Sequence, residues 1–143
     1  MESLYDQDFY QWALKEADLM RQGRLSEIDV ENIAEELESM GKSQKRELIS
    51  RLAVLIMHLL KCQYQPKLRI GSWIETIGTQ RMDIQLLIDD SPSLKHEIDA
   101  VMTRAYSLAV VKFENETGIS KKSFPSTSPY TFDHVMDDDF LPE

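Results

Sequence analysis

The stretch KCQYQPKLRIGSW, from Lys61 to Trp73, holds the side chains that are best suited to binding a ligand. Its cations and amides alternate with aromatic rings, and such groups together bind phosphates, bases or an acidic protein surface. We therefore predict a partner-binding site formed by Lys61, Gln63, Gln65, Lys67, Arg69 and Trp73. The structural alternative is that Tyr64 and Trp73 close a corner between two helices while the charges meet acidic segments.

The acidic, histidine and cysteine side chains form no recognisable catalytic or metal-binding pattern. Glu31, Glu35 and Glu38 share one helical face, but helical di-metal sites also need a glutamate three residues before a histidine. None of the three histidines has a glutamate at that position. The single cysteine, Cys62, lies in an apolar helical pattern that indicates a half-buried small hydrophobe. We predict no catalytic residue, no metal site and no cofactor, and we favour a protein that is not an enzyme.

Charge is segregated along this acidic chain. Residues 1–41 carry a net charge of −8, residues 42–70 a net charge of +6 and residues 71–143 a net charge of −7. The total of −9 argues against general nucleic-acid affinity, because phosphate binding depends on clustered lysine and arginine. Segregated charge favours steering towards one partner.

The sequence gives no sign of export or of membrane insertion. Residues 1–20 carry five acidic side chains, which is not typical of a signal peptide. The longest apolar run, residues 52–60, is too short to cross a bilayer. We expect a cytoplasmic protein that does not enter the membrane.

Helical periodicity runs through the chain without any competing β alternation. The five glycines and five prolines are few for 143 residues, and the prolines lie between the periodic segments. We predict an all-α fold, a compact bundle of four to five mostly antiparallel helices with a short C-terminal helical turn. One domain is expected over residues 1–143, in which residues 119–143 form a loop, a short turn and a tail packed on the bundle.

Two predicted helices occupy the first 41 residues. The first ends at Gly23, and its apolar face is Phe9, Trp12, Ala13, Ala17 and Met20. Ser26 and Asp29 resemble a capping box for the second helix, which ends at Gly41. Its buried face is predicted to be Val30, Ile33, Ala34, Leu37 and Met40.

A third predicted helix over residues 43–63 is apolar on most sides and should be the central one. It should form a hairpin with the second helix around Gly41, with Lys42, Lys45 and Arg46 beside Glu35, Glu36 and Glu38. Pro66 is expected to end it, and Ser72 with Glu75 to cap the fourth helix.

An ordered set of short motifs runs from one end of the chain to the other. These are LYDQDFYQW, ENIAEELESMGKS, LIMHLLKCQYQP, SW with TI and QR following, DDSPSLK and DDDFLP. On these motifs the chain resembles the bacterial family known as domain of unknown function number 29. The resemblance implies a compact helical bacterial protein and carries over no activity. Cys62 stands where a tryptophan is common in that family, and the stretch before Ser72 is less rich in arginine.

Two functions are compatible with these features. The first is a non-enzymatic protein–protein interaction module, either an adaptor or an antitoxin-like inhibitor, whose protein partner the sequence does not name. The alternative is a binder of RNA or single-stranded nucleic acid that uses the basic and aromatic residues 61–73. A surplus apolar face on one of the helices would also allow a homodimer.

Overall fold

The computed structural model describes residues 2–143, which fold into six α-helices and contain no β-strand. The helices are α1 (Leu4–Gln7), α2 (Phe9–Arg21), α3 (Val30–Tyr64), α4 (Gly71–Asp90), α5 (Ile98–Thr117) and α6 (Phe132–Met136). Short 3-10 turns occupy Leu25–Glu27, Pro66–Leu68, Pro92–Glu97 and Lys121–Ser123. The predicted all-α fold and the short C-terminal helix are confirmed.

Helix α3 is one continuous helix of 35 residues, so the prediction that a helix ends at Gly41 is wrong. Gly41 keeps a right-handed helical backbone, and Gly23 and Gly118 are the positive-φ glycines of the described residues. A glycine inside a helix costs only about 1 kcal/mol relative to alanine, which a long helix without proline tolerates. The predicted hairpin is therefore absent, and Lys45 pairs with Glu97, 3.5 Å away, instead of with the acidic turn before Gly41.

Helix α2 begins and ends on local signals. The Asp8 side chain accepts a hydrogen bond from the backbone N–H of Gln11 and caps the start. Gly23, at φ +73°, ends the helix as predicted, and the backbone N–H of Arg24 donates to the carbonyl of Leu19 at 3.0 Å. Ser26 lies in the 3-10 turn after it, so the predicted capping box of Ser26 with Asp29 is wrong.

The apolar core of residues 43–143 is built from the second half of α3, from α4 and from α5. Fully buried members include Leu48, Leu52, Ile56, Ile84 and Val101. Helix α4 begins at Gly71 without a side-chain cap, so the predicted capping box of Ser72 and Glu75 is also wrong.

The C-terminal segment is fastened to this core by a buried arginine. Arg81 of α4 is only 4% exposed. Its guanidinium donates to the carbonyl oxygens of Val135 at 2.7 Å and of Phe140 at 2.8 Å. Phe140 and Leu141 pack against the core, as predicted for the tail.

By its internal contacts the chain forms two compact units, one that extends to Lys42 and one over Ser43–Glu143. The prediction of a single domain over residues 1–143 stays a prediction. Within residues 2–143, none of the helices combines the length and the apolar character that crossing a bilayer requires.

Candidate functional site

The six residues predicted to bind a partner lie at the corner between α3 and α4. Lys61 and Gln63 belong to the last turn of α3, and Trp73 belongs to the first turn of α4. Gln65, Lys67 and Arg69 lie in the connection, which Pro66 starts as a 3-10 turn after α3 ends at Tyr64. Proline therefore ends the helix at the predicted place.

Lys61 is engaged inside the protein. Its side chain is largely buried, and its ammonium forms an ion pair with Glu116 of α5. The same ammonium lies 5.3 Å from the ring centroid of Trp73, within cation–π range. Lys61 and Trp73 thus hold α3, α4 and α5 together at this corner.

Two further predicted residues are bound to the C-terminal segment. The guanidinium of Arg69 donates to the carbonyl oxygen of Cys62 at 3.0 Å and to that of Pro142 at 2.9 Å. The side-chain carbonyl of Gln63 accepts a hydrogen bond from the hydroxyl of Tyr130. Lys67 is exposed and Gln65 is half-buried. The structure therefore gives four of the six residues a packing or hydrogen-bonding role in the fold.

His58 and Cys62 also serve the fold. The Nδ1 atom of His58 donates to the carbonyl oxygen of Val54 at 2.8 Å, and burial lowers the pKa of the imidazole. Cys62 is fully buried, and burial raises the pKa of its thiol. Among residues 2–143, no three histidine, cysteine or acidic side chains are grouped so as to hold a metal ion.

A different feature stands out in the first unit, namely an apolar groove between α2 and the first turns of α3. We call it the α2–α3 groove. Its volume is about 330 Å³, and its lining residues are Trp12, Ala13, Glu16, Ala17, Met20, Ile33, Glu36, Leu37 and Met40. The stripe on α3 is the face that the sequence predicts to be buried, yet Leu37 is 62% and Met40 65% exposed. Val30 and Ala34 of the same predicted face are exposed too, and Ile33 is half-buried, so the predicted burial of this face is wrong.

Hydrogen bonds hold the walls of the groove in place. The indole nitrogen of Trp12 donates to the Asp29 carboxylate at 3.2 Å, and the backbone N–H of Asp29 donates to the Glu16 carboxylate at 2.9 Å. The hydroxyl of Tyr5 donates to the carboxylate of Glu36. Both acidic residues of the groove are therefore fixed by partners within the first unit, and the groove exists before any ligand arrives.

These contacts shift two pKa values. The hydrogen bond to Glu36 raises the pKa of the Tyr5 hydroxyl to about 12. Hydrogen bonds from the side chain and backbone of Asn32 and from Trp12 lower the pKa of Asp29. At neutral pH the Asp29 carboxylate, which joins α2 to the start of α3, is therefore ionised.

Sequence reasoning missed this groove because it assigned both apolar stripes to the core. The stripe of the second predicted helix continues to Met40, and the sequence does not show which element covers it. An amphipathic stripe shows that a helix face is buried by something, and does not show that this chain supplies the cover.

Comparison with known proteins identifies the family. The family model described as domain of unknown function DUF29 matches residues 4–141 of the 143-residue chain. The chain belongs to the DUF29 family. This confirms the resemblance found in the sequence motifs. Neither the comparison with curated proteins nor the comparison with solved structures gave a match for this DUF29 chain.

Proposed function

We propose that this DUF29 protein is a protein–protein interaction module whose α2–α3 groove takes up an amphipathic helix of a partner protein. The observation that supports this proposal is the exposure of the groove's α3 stripe, where Leu37 is 62% exposed. Large apolar side chains that line a fixed groove on a protein surface are the usual mark of such a docking site.

The spacing of the lining residues fits a helix as the ligand. On α2 they recur as Trp12, Glu16 and Met20, and on α3 as Ile33, Leu37 and Met40, so each wall is one helical stripe. A third helix laid between two such stripes completes a three-helix packing unit with ordinary ridge-and-groove contacts. Helix α2 has 13 residues, so a partner helix of similar length, about 20 Å, would cover the groove.

The negative charge of the first unit favours a partner helix with basic side chains. Residues 1–42 contain eleven acidic and four basic side chains, for a net charge of −7. The preferred partner therefore has leucine-like residues on one face and lysine or arginine along both edges of that face. A second copy of this chain placed groove to groove would bring two acidic units together, which disfavours a symmetric dimer through this surface.

This function needs no chemistry from the DUF29 chain itself. If the bound partner keeps its activity, the module is an adaptor. If the partner needs the docked helix for its own activity, the module is an antitoxin-like inhibitor. The same groove serves either role, and the identity of the partner decides between them.

The test is affinity capture from a bacterial lysate with matched variants. Leu37→Ser changes the groove, and Leu86→Ser changes a comparable apolar residue of α4 that is 57% exposed and lies outside it. We expect a stoichiometric protein that the wild type and Leu86→Ser retain and Leu37→Ser loses, and whose bound segment is a basic amphipathic helix. No such protein, or equal retention by both variants, would refute the proposal.

The alternative function, binding of RNA or single-stranded nucleic acid at residues 61–73, has less support. Lys67 is exposed and Tyr64 is 41% exposed, so both are available to a nucleic acid. Lys61, however, is buried in an ion pair with Glu116, and the exposed Arg69 is already hydrogen-bonded to the carbonyl oxygens of Cys62 and Pro142. A fluorescent single-stranded RNA at about 50 mM salt tests it, since electrostatic affinity is strongest at low salt. Binding that is lost on combined replacement of Lys67, Arg69 and Trp73 would favour this alternative.

A further inference from the structure

A second cavity lies in the other unit, between the first turns of α5 and residues 126–132, which lead into α6. Its volume is about 350 Å³. Small-molecule sites typically have volumes of about 300–1,000 Å³. Eight of its twelve lining side chains carry a hydroxyl group. The direction of their hydrogen bonds shows which ligand the cavity fits.

Two of the hydroxyl groups that α5 contributes to the cavity donate hydrogen bonds to carbonyl oxygens of the same helix. Thr103 donates to the carbonyl oxygen of Asp99 at 3.0 Å, and Ser107 donates to the carbonyl oxygen of Thr103 at 3.1 Å. Each hydroxyl oxygen keeps its lone pairs after donating its one proton. This wall therefore presents acceptors to the cavity.

The other lining hydroxyl groups with described bonds behave in the same way. Tyr106, also on α5, donates its hydroxyl proton to the carbonyl oxygen of Pro125 at 2.7 Å. Ser128 donates to the carbonyl oxygen of Tyr130 at 2.8 Å and accepts from the Tyr130 backbone N–H at 3.1 Å, which leaves it one lone pair. The Tyr130 hydroxyl donates to Gln63, which does not line the cavity. Five of the eight hydroxyl groups have thus used their protons, and the cavity is richer in acceptors than in donors.

The charged side chain of the lining is negative as well. Asp99 is the charged residue among the described residues that line the cavity, and its side chain is exposed. The nearby Lys121 and Lys122 line a neighbouring cavity instead. Met102 and Phe132 supply apolar surface beside the acceptors. The cavity therefore offers a negative charge, lone pairs and apolar contact to one ligand.

We propose that this cavity binds a small organic cation, an ammonium or guanidinium group on an apolar body, with the cation held by Asp99 and the hydroxyl oxygens. Ammonium and guanidinium groups are pure donors, so they match the acceptors that the cavity presents. The apolar body packs against Met102 and Phe132. This site is separate from the α2–α3 groove, and the proposal does not depend on the groove.

The test is an NMR titration of the full chain with tyramine, an aromatic ammonium. The matched control ligand is 4-ethylphenol, which is the same molecule without its amine, and inorganic phosphate serves as an anionic control. We expect tyramine to shift the backbone amides of Thr103 and Ser128 in a saturable way. The neutral control should bind at least about tenfold more weakly, because it lacks the charge-assisted hydrogen bonds.

Variants locate the site. We expect Asp99→Asn to weaken tyramine about tenfold or more, and Ser107→Trp to abolish binding by filling the cavity while circular dichroism stays unchanged. Asp90→Asn, an exposed acid at the end of α4 and outside the cavity, should bind tyramine like the wild type. Absence of tyramine shifts, equal binding of 4-ethylphenol, preferential binding of phosphate, or wild-type affinity in Asp99→Asn would each overturn the proposal.

Discussion

The indole Nε1 of Trp12 donates a hydrogen bond to the carboxylate of Asp29, 3.2 Å away. This contact joins α2 to the residue that precedes α3. Asp29 in turn donates its backbone N–H to Glu16, so a single residue fixes two points of α2. The ring of Trp12 also contacts the ring of Tyr5 edge to face at 4.7 Å between centroids. The walls of the α2–α3 groove depend on this arrangement.

Replacing Trp12 with phenylalanine should destabilise the first unit by about 2 kcal/mol, because a hydrogen bond to a charged acceptor is lost and buried volume is removed. Amide hydrogen exchange of α2 measures this change. Tyr10→Phe is the matched control, since Tyr10 is 75% exposed on the same helix and its substitution should leave the exchange rates unchanged. Equal protection in both variants would show that the Trp12–Asp29 contact does not hold the groove.

Stability of the first unit should fall in acid through Asp29. Hydrogen bonds lower its pKa in the folded chain, so its contribution is complete above the ordinary carboxyl pKa and is lost as pH falls through the lowered value. We expect Asp29→Asn to show a smaller loss of stability than the wild type between neutral pH and about pH 3. Urea unfolding followed at the Trp12 indole NMR signal measures it. The same acid loss in both chains would contradict this role of Asp29.

Replacing Arg81 with methionine should release the C-terminal segment. The change leaves the carbonyl oxygens of Val135 and Phe140 without their donor, and unfolding free energy should fall by about 2–4 kcal/mol. Hydrogen exchange should accelerate most at residues 135–142. Arg104→Met, at an exposed position of α5, is the control and should change little. A uniform loss of protection without enhancement at the C-terminal segment would argue against the fastening role.

Cys62 should be protected from thiol reagents in the folded protein. Its side chain is fully buried and burial raises its pKa, so little thiolate is present or accessible at about pH 8. We expect its reaction with a disulfide reagent to be on the order of 100-fold slower than in the chain unfolded by guanidinium. Absorbance of the released thiol product follows the rate. Equal rates before and after unfolding would contradict the buried position.

The sequence predicted the apolar core well, because a strong local pattern decides it. Leu48, Leu52 and Ile56 recur at helical spacing, and all are fully buried. Gly41 shows the limit of local signals. Glycine ends a helix only where the chain turns into the left-handed conformation, and no residue beside Gly41 forces that turn.

The partner-binding site predicted at residues 61–73 stays a prediction, and it did not include the contacts that these residues make with distant parts of the chain. Gln63 and Arg69 bind Tyr130 and Pro142, which lie 67 and 73 residues further along the chain. Such contacts depend on where the C-terminal segment packs. The spacing of residues within one stretch does not predict the packing of a distant segment. The sequence also did not show that Leu37 is exposed. A helical stripe looks the same whether this chain or another molecule covers it.

The most direct test of the account is the affinity of the α2–α3 groove for a defined helical peptide. The probe is an 18-residue peptide with leucines along one helical face and lysines at its edges; a scrambled peptide of the same composition is the control. We predict micromolar binding that shifts the amides of Ile33 and Leu37, is weakened about tenfold or more by Leu37→Ser, and is unchanged by Leu86→Ser. Equal affinity for the scrambled peptide, or equal affinity of the two variants, would contradict it.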